Sequence, residues 1–288
     1  MSYKSLIITL ICGFALPAFA AAEQPIISSK AVLLVDNSAN KPLFEKNASR
    51  RHSPASTTKL MTALLVLENG ELGDTVTISK EDLKLAGDYA TDYLYPGEKF
   101  TVEELLNALL IQSANAAGNA LGRYIDGSPE LFAKHMTNRA KELGCTNTNF
   151  SNTYGKASSK HYTTAQDLYL IAKEAMRYPI LRKIIHTKSY RLPATNVYKA
   201  DDRVLWNTNS MLYGDNPYYD SRVRGGKTGY TSAAGRCLVT VAQKDKQKLY
   251  TIVLGGGKRN GEDFRYRDTK KLLDYGFEIS KANKKAAT

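Results

Sequence analysis

Residues 222–257 read "RVRGGKTGYTSAAGRCLVTVAQKDKQKLYTIVLGGG". Apolar and β-branched residues gather in three runs, RVRGGKTGY, GRCLVTVAQKD and KLYTIVLGGG, with short links between them. Links this short make the three strands antiparallel, because a parallel crossover needs a dozen or more residues. Upstream, "AVLLVDNSANKPLFEKN" (31–47) has the pattern of a hairpin, an alternating apolar strand, an Asn/Asp/Ser turn and a second strand, and it can join the same sheet. Helical periodicity fills the interval, from "TVEELLNALLIQSANAAGNALGRYI" through "PELFAKHMTNRAKELG" to "AQDLYLIAKEAMRY". A closing amphipathic helix covers "DFRYRDTKKLLDYGFEIS". The order β, α, β, α predicts an α+β fold, an antiparallel sheet flanked by helices. A helical lobe, roughly residues 75–185, is inserted between the first and later strands. A cleft between sheet and lobe is the expected place for a site.

The chain has 288 residues, enough for one sizeable core, with ordinary apolar (43%) and charged (24%) fractions. Its net charge of +12 points to an anionic partner. The basic residues are scattered, and the densest run, "KRNGEDFRYRDTKK", is interrupted by acids. No zinc knuckle or RNP-like segment accompanies them, so an anionic extracellular polymer is favoured and nucleic acid is not expected. "MSYKSLIITLICGFALPAFAAAEQ" has one early Lys, an apolar run from Leu6 to Leu16, and Ala18-Phe19-Ala20. That is a secretory signal peptide, residues 1–20, leaving 21–288 as a single exported domain. The run is shorter than the roughly 20 residues a membrane span needs, so no integral anchor is expected. Of the cysteines, Cys12 goes with the leader, and Cys145 and Cys237 are expected to stay free thiols. The four histidines lack ligand spacing, so no metal or cofactor is expected.

"SPASTTKLMTALLVLENG" (53–70) poses a chemical puzzle. It reads as an apolar helix whose first turn holds Lys59, where the helix dipole disfavours a cation. Ser56 and Lys59 lie three apart and share one helix face. A desolvated, neutral lysine can take the serine proton, and N–H groups at a helix entrance can stabilise the resulting anion. The bland alternative is that S-x-x-K occurs by chance, as Ser38-Ala-Asn-Lys41 does in the hairpin turn. Two further segments favour chemistry. "QSANAAG" places Ser113 and Asn115 where the chain turns between helices, and "RVRGGKTGYTSAAG" places Lys227-Thr228-Gly229 within a strand. Ser113 can relay a proton, Asn115 can hold Lys59 and substrate, and Lys227 with Thr228 can bind a carboxylate. Lys227 would also help keep Lys59 neutral, and Gly229 lets a substrate backbone lie against the strand edge.

The ordered set Ser56-x-x-Lys59, Ser113-x-Asn115, Lys227-Thr228-Gly229 resembles the signature of penicillin-binding proteins and serine β-lactamases. "PASTTKLMTALLVLE", "LYPGEKFTVEELLNALLIQSAN", "KELGCTNTNFSN", "YTTAQDL", "NTNSML", "KTGYTSAAGRCL" and "LLDYGF" resemble the low-molecular-mass D-alanyl-D-alanine carboxypeptidase/endopeptidase family. The resemblance implies a serine D,D-peptidase that hydrolyses D-Ala-D-Ala termini of peptidoglycan stem peptides, with β-lactams as covalent inhibitors. It implies Ser56 as acylated nucleophile, Lys59 as base, Ser113 and Asn115 as relay and positioning pair, and Lys227/Thr228 as carboxylate site. It also implies an oxyanion hole from the N–H groups of Ser56 and Tyr230. Crosslink cleavage and a low-turnover penicillin sensor are the alternatives it leaves open. Departures from the pattern are Ala116, where many relatives carry an acid, Arg224-Gly225 for Asp-Gly, and Gln166 for an Arg that could assist the carboxylate site. Larger relatives continue into a β-rich domain and an amphipathic anchor, which are not expected after Phe277.

Rival motifs fail on their own terms. A P-loop reading of "GGKTG" needs Gly at the position of Ser221 and a following helix. The class A β-lactamase string E-x-x-L-N occurs at Glu103–Asn107, but ahead of Ser113 rather than after it, so Glu103 is read as a solvated helix-entrance acid.

Overall fold

The computed structural model describes residues 23–86 and 93–286. The segment read as a signal peptide, with Cys12, lies outside the described residues. In chain order the elements are β1 (Ala31–Asp36), β2 (Lys41–Lys46), α1 (Lys59–Asn69), β3 (Thr75–Thr77), α2 (Lys80–Ala86), β4 (Lys99–Thr101) and α3 (Val102–Asn107). Then follow α4 (Asn115–Asp126), α5 (Pro129–Glu142), α6 (Ala165–Ala175), α7 (Pro179–His186), β5 (Ser189–Arg191), β6 (Val204–Trp206), β7 (Val223–Thr231), β8 (Gly235–Lys244) and β9 (Gln247–Gly256). A two-residue ribbon, β10 (Lys258–Arg259) with β11 (Glu262–Asp263), leads into α8 (Phe264–Ala286).

One five-stranded antiparallel sheet, in the order β2-β1-β9-β8-β7, organises the molecule. The early hairpin joins the late strands through β1, which pairs with β9 from Ala31↔Leu254 to Asp36↔Leu249. The expectation of an alternating β1 needs correcting, because "AVLLVD" is buried along its whole length. Its side chains divide by parity: Ala31, Leu33 and Val35 enter a large core on the lobe side, while Val32 and Leu34 enter a second core. A strand covered on both faces loses the polar half of its alternation. The second core is closed by α8, which brings Tyr266, Leu272, Leu273, Tyr275 and Phe277 onto Leu249 and Val253.

On the lobe side α1 is the hub, buried from Lys59 through Val66. A helix enclosed on all sides carries no polar stripe, which is why its sequence is apolar without strong periodicity. It touches α4, α5 and α6, which wrap it against the sheet. The sequence reading gave no elements to the short ribbons β3–β4 and β5–β6 or to α2 and α7; three-residue strands carry too little pattern to register. Cys145 and Cys237 are both buried free thiols. Among the described residues no helix is long and apolar enough to cross a membrane, and no cluster of His, Cys, Asp and Glu could hold a metal ion.

Leu273 is fully buried between α8 and the sheet. Leu273→Ala should cost about 2–5 kcal/mol in urea unfolding, by lost transfer energy and the cavity left behind. A loss below about 1 kcal/mol would mean that α8 is not docked on the sheet as described.

Candidate active site

Ser56 lies in a single 3-10 turn, Ala55–Thr58, that runs directly into α1. Neither segment has a side-chain cap or an acid in its first turn, so the positive end of the helix stays uncompensated beside Ser56. The nearby hydroxyls are turned to carbonyls instead. Thr57 Oγ1 donates to Pro54 O (2.7 Å) and Thr58 Oγ1 to Ala55 O (2.8 Å). Ala55 adopts a left-handed backbone with φ 48°, a strained conformation for a residue with a Cβ.

Lys59, the first residue of α1, is fully buried. Its Nζ lies 3.0 Å from Ser56 Oγ, 2.8 Å from Asn115 Oδ1 and 3.0 Å from the carbonyl of Tyr154. No carboxylate is among these partners. Burial, and secondarily the charge of Lys227, push the Lys59 pKa well below its ordinary value. A neutral amine has two N–H bonds and one lone pair. The Asn115 and Tyr154 oxygens accept the two N–H bonds, which leaves the lone pair for the Ser56 hydroxyl. The geometry suits a serine hydroxyl that donates to a neutral lysine amine.

Ser113 and Asn115 sit at a break in the lobe. The chain passes from α3 through a π-helical turn, Ala108–Gln112, and Ser113 then adopts the left-handed conformation (φ 68°) before α4 begins at Asn115. π-turns of this kind recur at functional sites. Asn115 is oriented by its Nδ2 donating to Ala86 O (3.4 Å), which leaves Oδ1 for Lys59. Ser113 is half-buried, and among the described residues nothing hydrogen-bonds its hydroxyl.

The third motif lies on β7, the edge strand of the sheet. A Cβ on Gly229 would come within 2.9 Å of Ser56 N and 3.1 Å of Pro54 O, so only glycine lets the strand approach the Ser56 turn this closely. Lys227, on the same face of the strand two residues earlier, is buried. Desolvation and then the charge of Arg265 lower its pKa to about 7. Thr228 Oγ1 is hydrogen-bonded to Thr208 Oγ1. Tyr230 is exposed, with the Arg236 guanidinium 5.1 Å from its ring centroid. Ser56, Lys59 and Asn115 are therefore joined directly, Lys227 acts on Lys59 through its charge, and Gly229 packs on the Ser56 turn.

Several contributors had no sequence signal. Tyr154 acts through its carbonyl, which any residue has; the loop that delivers it is bound by Asn152 Oδ1, which accepts from Gly155 N (2.7 Å) and Lys156 N (2.9 Å). Gly155 has φ +102°, and a Cβ there would lie 2.0 Å from Ala55 O, so this loop presses directly on the strained residue. Arg265 brings a further cation to Lys227 from α8. Gln166 needs a correction. Its backbone N–H donates to Ala48 O, just beyond the edge strand opposite β7, and its side chain is exposed. Among the described residues no hydrogen bond or ion pair joins it to the Lys227 site, so the structure gives it no part in holding a carboxylate there. The decoy Ser38 is a turn residue, with its hydroxyl donating to Lys246 O and accepting from Lys248 N. Glu103 lies in the first turn of α3, as a helix-entrance acid would.

His161 holds the serine turn from behind. It is fully buried, its Nδ1 accepts from Ser151 N (3.0 Å), and its Nε2 lies 2.9 Å from Thr58 Oγ1. Because Thr58 donates to Ala55 O, Nε2–H must donate to Thr58, which fixes a neutral tautomer. Burial and then the charge of Lys59 depress the His161 pKa from 6.5 to about 4. Between those two values the unfolded chain binds the proton more readily. This contribution to stability is therefore complete above pH 6.5 and fades as pH falls toward 4. Urea midpoints of wild type should fall more steeply over that window than those of His161→Gln, which keeps a donor to Thr58 but cannot titrate. Parallel slopes would remove His161 from this role. His161→Leu should slow acylation about tenfold while leaving KM nearly unchanged, since it frees Ala55 from its restraint.

Comparison with known proteins agrees with this geometry. The family model described as D-alanyl-D-alanine carboxypeptidase (Peptidase_S11) matches residues 18–258. The D-alanyl-D-alanine carboxypeptidase DacF of Bacillus subtilis is 34% identical over 294 residues, covering 95% of this chain and 71% of that protein. The D-alanyl-D-alanine endopeptidase of Escherichia coli is 30% identical over 263 residues, covering 88% and 82%. Among solved structures, the Streptomyces K15 DD-transpeptidase superposes with a TM-score of 0.81 at 30% identity, covering 89% of this chain and 99% of that one. The chain therefore belongs to the D-alanyl-D-alanine carboxypeptidase family.

Proposed function

We propose that this chain is a serine D,D-peptidase that removes the terminal D-Ala from peptidoglycan stem peptides. In this reading residues 1–20 are its export leader, 21–288 its single catalytic domain, and the periplasm its place of action. The observation that carries it is the buried Lys59 amine, its pKa pushed well below the ordinary value, with Nζ 3.0 Å from Ser56 Oγ. The stem peptide lies along the free edge of β7, where an added strand gains main-chain hydrogen bonds. Its C-terminal carboxylate is received by Lys227 and Thr228, with Arg265 behind them.

Lys59 takes the Ser56 hydroxyl proton as Oγ attacks the carbonyl carbon of the scissile D-Ala–D-Ala bond. The oxygen that becomes negative is held by the N–H groups of Ser56 and Tyr230, aided by the uncompensated helix entrance. The C–N bond then breaks, and the leaving nitrogen takes a proton relayed from Lys59 by the Ser113 hydroxyl. The free D-Ala departs, leaving an ester on Ser56. Water, deprotonated by the same lysine, attacks the ester, and Ser56 recovers its proton. A β-lactam acylates Ser56 by the same attack, but its leaving nitrogen stays tethered in the ester. A second reading, cleavage of D,D-crosslinks, is favoured by the similarity to the E. coli endopeptidase. A crosslink presents the same D-Ala carbonyl to Ser56 with a larger leaving group.

Labelled penicillin should attach to wild type and to Ser38→Ala, but not to folded Ser56→Ala. Lys59→Arg, which cannot deprotonate at neutral pH, should acylate at least about a hundredfold more slowly. Wild-type acylation should decline on the acid side as Lys59 gains a proton, because its depressed pKa leaves it neutral only above that value. Labelling of Ser56→Ala at the wild-type rate would end this reading. Mass analysis of products from a pentapeptide and a crosslinked dimer separates carboxypeptidase from endopeptidase action, and no turnover of either would leave only a penicillin sensor.

A further inference from the structure

A recess of about 330 Å³ lies away from the serine, where α7 meets the sheet. Arg182, Lys183 and His186 of α7, Arg224 of β7 and Lys248 of β9 line it, over an apolar floor that includes Ile185. No carboxylate lines the recess, and among the described residues no ion pair engages these side chains. The two guanidiniums are anchored by neutral carbonyls instead. Arg182 Nη1 donates to Met176 O (2.7 Å) and Arg177 O (2.9 Å), and Arg224 Nη1 donates to Ser221 O (2.7 Å). Their charge is held in place without being cancelled, so an incoming anion would meet preformed donors. Lys248 feels the crowding: burial, and then the charge of Arg182, lower its pKa. Uncompensated like charges in a concave site cost stability, which suits a place waiting for a counter-charge.

We propose that this recess is a second anion site, which grips a carboxylate-bearing peptide arm of peptidoglycan while the serine cleft works on a neighbouring arm. The inference rests on the peptidoglycan reading above. Two features favour a peptide carboxylate over a bare phosphate. The apolar floor suits the aliphatic side chains of a stem peptide. Arg224 and Lys227 also stand three residues apart on one edge strand, about 10 Å, so the recess and the cleft can be reached by arms of one polymer. Its consequence is a preference for polymeric wall over short soluble peptides.

The test uses the full-length chain made inactive by Ser56→Ala, sedimented with purified insoluble peptidoglycan over a salt series. Lys183→Gln/Arg224→Gln/Lys248→Gln added to that parent should weaken binding about tenfold and flatten its salt dependence. Removing three charges elsewhere, by Lys134→Gln/Lys141→Gln/Lys160→Gln, should change it less than about twofold. On peptidoglycan whose carboxylates have been converted to methylamides, parent and recess variant should bind alike. If the triple recess variant melts abnormally, Arg224→Gln alone carries the same comparison with a smaller loss. The proposal is overturned if the recess variant binds like its parent, or loses no more than the remote variant. It is equally overturned if the loss persists on amidated wall and inorganic phosphate reproduces it, since the anion bound would then be phosphate. Because binding is measured without turnover, these outcomes stand apart from the cleft reading, which fails separately if active enzyme leaves a soluble pentapeptide uncut.

Discussion

A lysine buried without a carboxylate is the constraint around which this cleft is arranged. Taking the proton from a free lysine at pH 7 costs roughly 5 kcal/mol, a large share of the 5–15 kcal/mol by which a domain is stable. The fold meets that cost by enclosing Lys59 among α1, α4 and the 152–155 loop and giving its two N–H bonds a carboxamide and a carbonyl. An aspartate in place of Asn115 would pair with an ammonium and stabilise the charged form. It would also destroy the base. The choice of an amide there is therefore chemical as well as structural, and it explains why a polar cluster can sit in the most buried part of the lobe.

The same enclosure holds two residues in left-handed conformations, Ala55 just before Ser56 and Ser113 two residues before Asn115. Each costs on the order of 1–3 kcal/mol and persists only where the surroundings over-determine it. Around Ala55 the determinants are visible. Gly155 comes too close for any side chain, Thr58 binds its carbonyl, and buried His161 fixes Thr58. Around Ser113 the π-turn does the work, with Ala114 N reaching back to Ala108 O (3.0 Å). Strain is thus concentrated where two hydroxyls must face a substrate, and it is supported by groups that never touch that substrate.

How much of this could be read beforehand follows from where the information resides. The sheet was legible because β7, β8 and β9 are long and joined by short links, and the three motifs were legible because their side chains themselves form the polar cluster of the cleft. The six strands of two or three residues and the two short helices α2 and α7 were not, since they are held by tertiary contacts rather than by their own pattern. Tyr154 contributes a carbonyl and Gly155 a missing side chain, neither of which has a signature. His161 had no motif to mark it; burial and a bond to Thr58, which tie it to the serine turn, are facts of three dimensions. Gln166 shows the reverse error. Its place in a motif suggested a role at the carboxylate site, but α6 starts at the opposite edge of the sheet.

The charge surplus of the sequence acquires a local meaning at β7. Lys59, Lys227 and Arg265 converge there, and the acid nearest in the chain, Asp263, is already engaged by Arg265 (3.1 Å) and Arg236 (3.0 Å). Lys227, with a pKa near 7, is poised between its charged and neutral forms. In the proposed reading, a substrate carboxylate arriving beside it would raise that pKa, so Lys227 would take up a proton as the anion binds. The new ammonium and the new carboxylate nearly cancel in the field felt at Lys59. On that reading Lys59 would feel little net change when a negative charge enters the cleft, and the second lysine would buffer the first.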